Sequence, residues 1–210
     1  MTQTNQLKTK DTTETRFQIV EKLEIRESQN ANSVGVLHGY AALYESETDM
    51  IWFREVIKTG AFKRAIEENQ DVRGLWNHDT SLILGRTNAG TLVIVEDSKG
   101  LRFELDLPDT TAGRDAKVSI ERGDITGMSF GFRIKEETWV ISDDRAVTDL
   151  REITDLDLME ISPVTFPAYK DTEVGVRSLD KFKKLSVPSG SDSRRSADEI
   201  YQIRAARRRR

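Results

Sequence analysis

From Leu101 to Leu107 the chain alternates without a break. Leu101, Phe103, Leu105 and Leu107 are apolar, and Arg102, Glu104 and Asp106 between them are charged. A helix would scatter these apolar side chains around its circumference, whereas a strand puts all four on one face. One covered face and one wet face describe an antiparallel sheet lying over a core. The period of two recurs at Phe17, Ile19, Leu23 and Ile25. It recurs again at Met128, Phe130, Phe132 and Ile134, where Ser129, Gly131, Arg133 and Lys135 take the other side.

Strands are therefore expected over Arg16–Arg26, Val34–Tyr44, Val72–Asn77, Thr126–Lys135 and Leu150–Ser162. Leu92–Val95 should form a hairpin with 101–107 across Asp97-Ser98-Lys99-Gly100, and Thr138–Ile141 a second pair with Arg145–Thr148 across Ser142-Asp143-Asp144. Two helices interrupt this pattern. Thr59 to Glu68 carries one stripe of Phe62, Ala65 and Ile66, with Thr59 as the cap; 111–122 starts near Thr110 or Thr111 and stops before Gly123. The fold class is mainly β with flanking helices (α+β), an antiparallel barrel or sandwich with the helices packed outside.

The 210 residues suffice for one domain and tails. Residues 1–14 are polar and aperiodic, a disordered lead-in, and 15–176 form the domain. Residues 177–210 are a basic linker and tail: 186–193 are rich in Ser, Gly and Pro, and Ser196–Arg207 has the spacing of a short helix. Charge divides the same way. Residues 177–210 hold 11 Lys/Arg against 4 Asp/Glu, a net of +7, and residues 1–176 hold 21 against 32, a net of −11. The acidic body argues against a nucleic-acid partner except through the basic tail. No apolar run is long enough to span a membrane, and the polar N-terminus lacks the apolar region of a signal peptide. Cysteine is absent, which removes disulfides, a thiol nucleophile and thiolate metal sites. His38 and His78 are the two histidines.

Three residues stand out as candidates for chemistry. Ser129 lies between glycines in Gly127-Met128-Ser129-Phe130-Gly131 and faces away from the apolar stripe, which suits a nucleophile needing access and equally a solvent-facing serine beside a bulge. His78 follows Trp76-Asn77 at a strand end, where its two ring nitrogens can serve a hydroxyl and a carboxylate, or simply face solvent in a polar turn. Glu160 is in phase with Leu156 and Leu158, so it is expected on their face, partly desolvated and in need of an imidazole, Lys or Arg partner. Glu152, Asp155 and Asp157 are alternatives to it. His38, in phase with Val36 and Tyr40, reads as a core or edge histidine.

Four segments in order resemble the prohead proteases of tailed bacteriophages of the HK97 type. They are Thr59-Gly60-Ala61-Phe62, with Thr where the family has Pro; Trp76-Asn77-His78-Asp79 followed by Leu84-Gly85-Arg86; Gly123 to Phe132 around Ser129; and Leu158 to Ala168 around Glu160. The resemblance spans about residues 16–170. It implies an assemblin-like antiparallel β-barrel and a serine endopeptidase that trims capsid components. By motif match Ser129 is the nucleophile, His78 the general base and Glu160 the orienting acid, and no metal or organic cofactor is required. Arg86 is a candidate to hold a water near the oxyanion. The implied substrates are the major capsid protein and scaffold, with self-association and self-cleavage, inside the assembling prohead in the host cytoplasm. The competing expectation is a non-enzymatic capsid assembly or scaffolding protein.

Overall fold

The computed structural model describes residues 3–8, 13–19, 23–50, 53–141 and 148–165. In chain order its elements are β1 (Gln3–Lys8), β2 (Thr13–Ile19), β3 (Glu24–Arg26), β4 (Ser33–Leu43), β5 (Thr48–Asp49), β6 (Arg54–Ile57), α1 (Lys63–Glu67), β7 (Arg73–Trp76) and β8 (Asp79–Arg86). A 3-10 turn at Thr87–Ala89 leads to β9 (Leu92–Glu96), β10 (Gly100–Pro108), α2 (Thr111–Glu121), β11 (Gly127–Ile141) and β12 (Leu150–Val164).

The strands form two sheets. One is antiparallel, in the order β3-β4-β10-β9. The other is built on the long hairpin of β11 and β12. β1 and β2 line the outer edge of β11, while β6 and β7 run parallel to β12 on its far side and carry β5 and β8. The fold is thus mostly β with two short helices, but two departures from expectation follow. The strand order of neither sheet closes into a barrel among the described residues, and the β12 pairings with β6 and β7 are parallel rather than antiparallel. Parallel pairing requires a crossover between the strands. Here the intervening chain, including α2 and all of the first sheet's β9 and β10, lies between β7 and β12 in sequence.

Leu101, Phe103, Leu105 and Leu107 are all buried, as their alternation requires. They meet Met128, Phe130, Phe132, Leu156, Leu158 and Ile161 from the second sheet in one core. Phe62 joins it from the start of α1, its ring edge-on to Phe130 at 5.7 Å between centroids. Each such aromatic side chain contributes on the order of 1.5–3 kcal/mol by leaving water. α2 starts as expected: Thr110 Oγ1 accepts from Gly113 N at 3.3 Å, and Gly123 follows the helix at φ +79°. α1 does not use Thr59 as its cap. The Thr59 N–H and hydroxyl are taken by Glu45 Oε1 at 3.1 and 3.3 Å, and the turn before the helix is made by Gly60 at φ +88°.

The sheet also begins earlier than residue 15. Gln3–Lys8, within the expected disordered lead-in, pairs with Glu136–Ile141, and Glu14 is buried. Charge explains why a polar segment packs. Glu14, Arg16, Glu55, Glu137 and Arg151 are all buried and mutually bonded. Arg151 donates to Glu14, Glu55 and Glu137, and Arg16 to Glu14 and Glu55. A buried charge is tolerated when its partners are supplied in good geometry. Burial pushes the Glu14 carboxyl up, and the Arg151 and Arg16 guanidiniums outweigh this and hold it below the ordinary glutamate value. The expected 138–148 hairpin is the distal end of β11 and β12 in another register, with Thr138 opposite Glu152 and Val140 opposite Leu150. Residues 142–147, the linker at 186–193, the 196–207 helix and the basic tail lie outside the described residues.

Candidate active site

The alternation of β11 puts Phe130 and Phe132 into the core and Ser129 and Gly131 on the opposite face. Ser162 and Glu160 lie across from Ser129 and Gly131 on β12. Strand phase alone would give Glu160 the same face as Leu158. The register shows why it does not. Phe132 pairs with Leu158 but Gly131 pairs with Glu160, so Met159 is one extra residue on β12. This β-bulge reverses the facing of everything after it. Glu160 therefore shares the Ser129 face rather than the Leu156 and Leu158 face, which corrects the expectation from the sequence. Gly131 leaves the room. A Cβ there would lie 2.6 Å from Glu160 Oε1 and 3.1 Å from its Cγ.

His78 reaches this face from a two-residue hairpin. Trp76 and Asp79 pair across the β7–β8 turn, and Asn77 and His78 between them have φ +51° and +62°. Positive φ at both central residues is the requirement of a type I′ turn, whose twist matches the flanking strands. Asn tolerates that region better than other residues with a Cβ. The turn is fastened to β12 and the residue after it: Asn77 N donates to Pro163 O at 3.2 Å, Thr165 N to Asn77 Oδ1 at 2.8 Å, and His78 N to Ser162 Oγ at 3.3 Å. His78 is thus a turn residue rather than a strand-end residue.

His78 Nδ1 lies 2.7 Å from Glu160 Oε1. An ionised carboxylate only accepts, so Nδ1 is the donor in this contact, and it is the neutral imidazole of that tautomer that has a lone pair on Nε2. The second carboxylate oxygen, Oε2, accepts from Ser162 Oγ at 2.6 Å. Two buried polar atoms then remain without a hydrogen bond among the described residues: His78 Nε2 and Ser129 Oγ. Buried polar atoms are rarely left so. Ser129 is fully buried, in contrast to the open position its glycine neighbours suggest.

The alternative acids go elsewhere. Glu152 faces Lys58 Nζ at 3.7 Å, and Asp155 holds Arg64 at 2.9 Å. Burial would raise the Asp157 carboxyl, but Lys135, Arg64 and Gln70 donate to it and hold its pKa at about 2. Arg86 makes a two-point pair with Asp71 at 2.7 and 2.6 Å. His38 sits on β4 between β3 and β10, half-buried and 4.0 Å from Glu24, so it lies neither in the core nor on a sheet edge. Ser162 and Asn77 were not singled out from the sequence. The Glu160-x-Ser162 spacing puts both on one strand face, a signal that becomes useful only once the bulge is known. An Asn before the histidine is the local mark of the left-handed turn.

The family model described as caudovirus prohead serine protease matches residues 21–185. The chain belongs to this family. Among its relatives, the prohead protease of Enterobacteria phage HK97 is 30% identical over 156 residues, which is 72% of this chain and 64% of that protein. The chain thus spans somewhat less than two thirds of the length of that prohead protease. A solved structure of the bacteriophage T4 capsid assembly protease aligns with 72% of this chain and 98% of its own, at 10% identity and a TM-score of 0.41. In this prohead protease family member, the segments around His78, Ser129 and Glu160 all fall within the matched residues.

Proposed function

We propose that this chain is a serine endopeptidase that trims capsid and scaffold protein during phage head assembly, with Ser129 as nucleophile, His78 as general base and Glu160 as orienting acid. The observation that carries the reading is the His78 Nδ1–Glu160 Oε1 contact at 2.7 Å, together with two buried atoms, His78 Nε2 and Ser129 Oγ, that have no hydrogen bond among the described residues, not even to each other. His78 Nε2 takes the Ser129 proton as Oγ attacks a peptide carbonyl. Glu160 stabilises the imidazolium that results. The imidazolium then protonates the leaving amine, and a water activated by His78 releases the acyl group. Donors to the tetrahedral oxyanion are worth roughly 3–4 kcal/mol each when lost. The two sheets around one core are the arrangement from which the assemblin-like barrel would be built.

Ser129 is 0% exposed, so acylation requires its cover to open. This same burial favours the second reading, a capsid assembly or scaffolding protein without catalysis. The two part company in one experiment. Wild type, Ser129→Ala and His78→Ala are co-expressed with the adjacent major capsid protein and its scaffold, inside assembling proheads in the host cytoplasm. A fluorophosphonate probe is added, and all chains are weighed by mass spectrometry. The protease reading expects Ser129 labelling and loss of a capsid or scaffold segment with wild type alone. It also expects shortening of the wild-type chain within residues 180–210. Equal processing by all three chains, or none by any, would favour the assembly role.

A further inference from the structure

Ser162 is completely buried and spends its hydroxyl in both directions. It donates to Glu160 Oε2 at 2.6 Å and accepts from the His78 backbone N–H at 3.3 Å. One side chain therefore touches two of the three groups assigned above, and it lies directly across the strand pair from the third, Ser129. Neither contact is the hairpin's sole anchor. The turn has its own anchors in the Asn77 contacts to Pro163 and Thr165. Nor is Ser162 needed to fill the apolar core, since it lies on the opposite face of β12 from Ile161.

We infer that Ser162 is a positioning residue: its hydroxyl holds the Glu160 carboxylate and the His78 backbone in one fixed geometry, so that Nε2 is presented toward Ser129. The inference rests on the protease reading for its catalytic consequence. The physical argument is about freedom. A glutamate has three side-chain torsions, and a single bond from His78 leaves its carboxylate free to rotate. Tying the second oxygen removes that rotation. The bond to the His78 N–H holds the backbone that carries the imidazole to the same hydroxyl, while Glu160 holds the ring through Nδ1. Reacting groups misplaced by about 1 Å lose on the order of 100-fold in rate.

The chain's scarcity of histidine makes this testable without any assay of activity. Imidazole-15N labelling gives two ring systems, His38 and His78, which a His38→Gln chain tells apart. In wild type the His78 Nδ1 proton is expected as a slowly exchanging, strongly downfield signal. In Ser162→Ala and in the near-isosteric Ser162→Cys it is expected to broaden into exchange, while the His38 signals stay unchanged. In parallel, fluorophosphonate labelling of Ser129 is expected to slow by about 10- to 100-fold in both variants. Ser162→Thr, which retains the hydroxyl, should recover most of the rate.

A folded Ser162→Ala or Ser162→Cys chain with an unmoved His78 Nδ1 proton and wild-type labelling would overturn the inference and leave the protease reading intact. Wild type that never labels at Ser129 would count against the protease reading. The Nδ1 signal of the variants would still decide the role of Ser162. Should Ser162→Ala unfold, the Cys and Thr chains carry the same comparison.

Discussion

Gly131 shows how much one missing methyl can decide. Glu160 lies over it, and an added Cβ would stand 2.6 Å from the carboxylate oxygen that faces His78. The neighbour it meets is the end of a flexible side chain, so the protein can yield by moving Glu160. Gly131→Ala is therefore expected to unfold within about 1 kcal/mol of wild type in urea, yet to label at Ser129 on the order of 10-fold more slowly or worse. Unchanged labelling would mean that Glu160 finds another route to His78. The asymmetry between stability and rate is what identifies the glycine as room for a carboxylate rather than as a strand-weakening flaw.

The β7–β8 hairpin carries its histidine in a costly conformation. Asn77 and His78 both have positive φ, where a residue with a Cβ pays roughly 1–2 kcal/mol. Fastening to β12 and to Thr165 offsets that cost, through Asn77 N to Pro163 O, Thr165 N to Asn77 Oδ1 and His78 N to Ser162 Oγ. Two substitutions separate turn geometry from hydrogen bonding. Asn77→Gly removes the side-chain contact but favours the turn, and is expected to cost under about 1 kcal/mol. Asn77→Ala loses both and is expected to cost about 2 kcal/mol by urea unfolding. Equal losses would show that the Thr165 contact alone matters. The same hairpin was legible as a strand delivering His78, because Val72–Asn77 is short, apolar and followed by polar residues. Its turn type was not, since Asn-His is a less common I′ pair than Asn-Gly.

Charge ties the strands of the second sheet to one another and to α1, and acid should loosen them. Asp157 has its pKa at about 2 in the folded protein against 3.8 ordinarily, and Glu14 is likewise held below 4.5. Carboxyls lowered by folding contribute stability that is fully present above their unfolded values and is lost as pH falls through the folded ones. Urea midpoints are thus expected to hold down to about pH 4.5 and to fall between pH 4 and 2. Asp157 contributes at most about 2 kcal/mol of that fall. Asp157→Asn should be less stable at pH 7 and show a shallower decline across this window. Parallel declines in the two proteins would place the acid sensitivity elsewhere.

Local pattern carried far in this chain. The alternation at 101–107 and 128–134 gave strands and their inward faces, Thr110 and Gly123 gave the ends of α2, and residue types at His78, Ser129 and Glu160 picked out positions on three separated segments. Side-chain period is a property of neighbours in sequence, and such features can be read wherever the period runs unbroken. Three things required the folded molecule. Glu160 changes face because Met159 is an unpaired extra residue, and a bulge exists only relative to the strand opposite it. Glu14 is buried because Arg16 on its own strand and Arg151 from β12 surround it, and no local pattern marks a charge whose partner is 137 residues away. Ser129 is covered although its flanking glycines suggested space. Pairing register and long-range charge partners arise between segments distant along the chain, so they appear only when those segments meet.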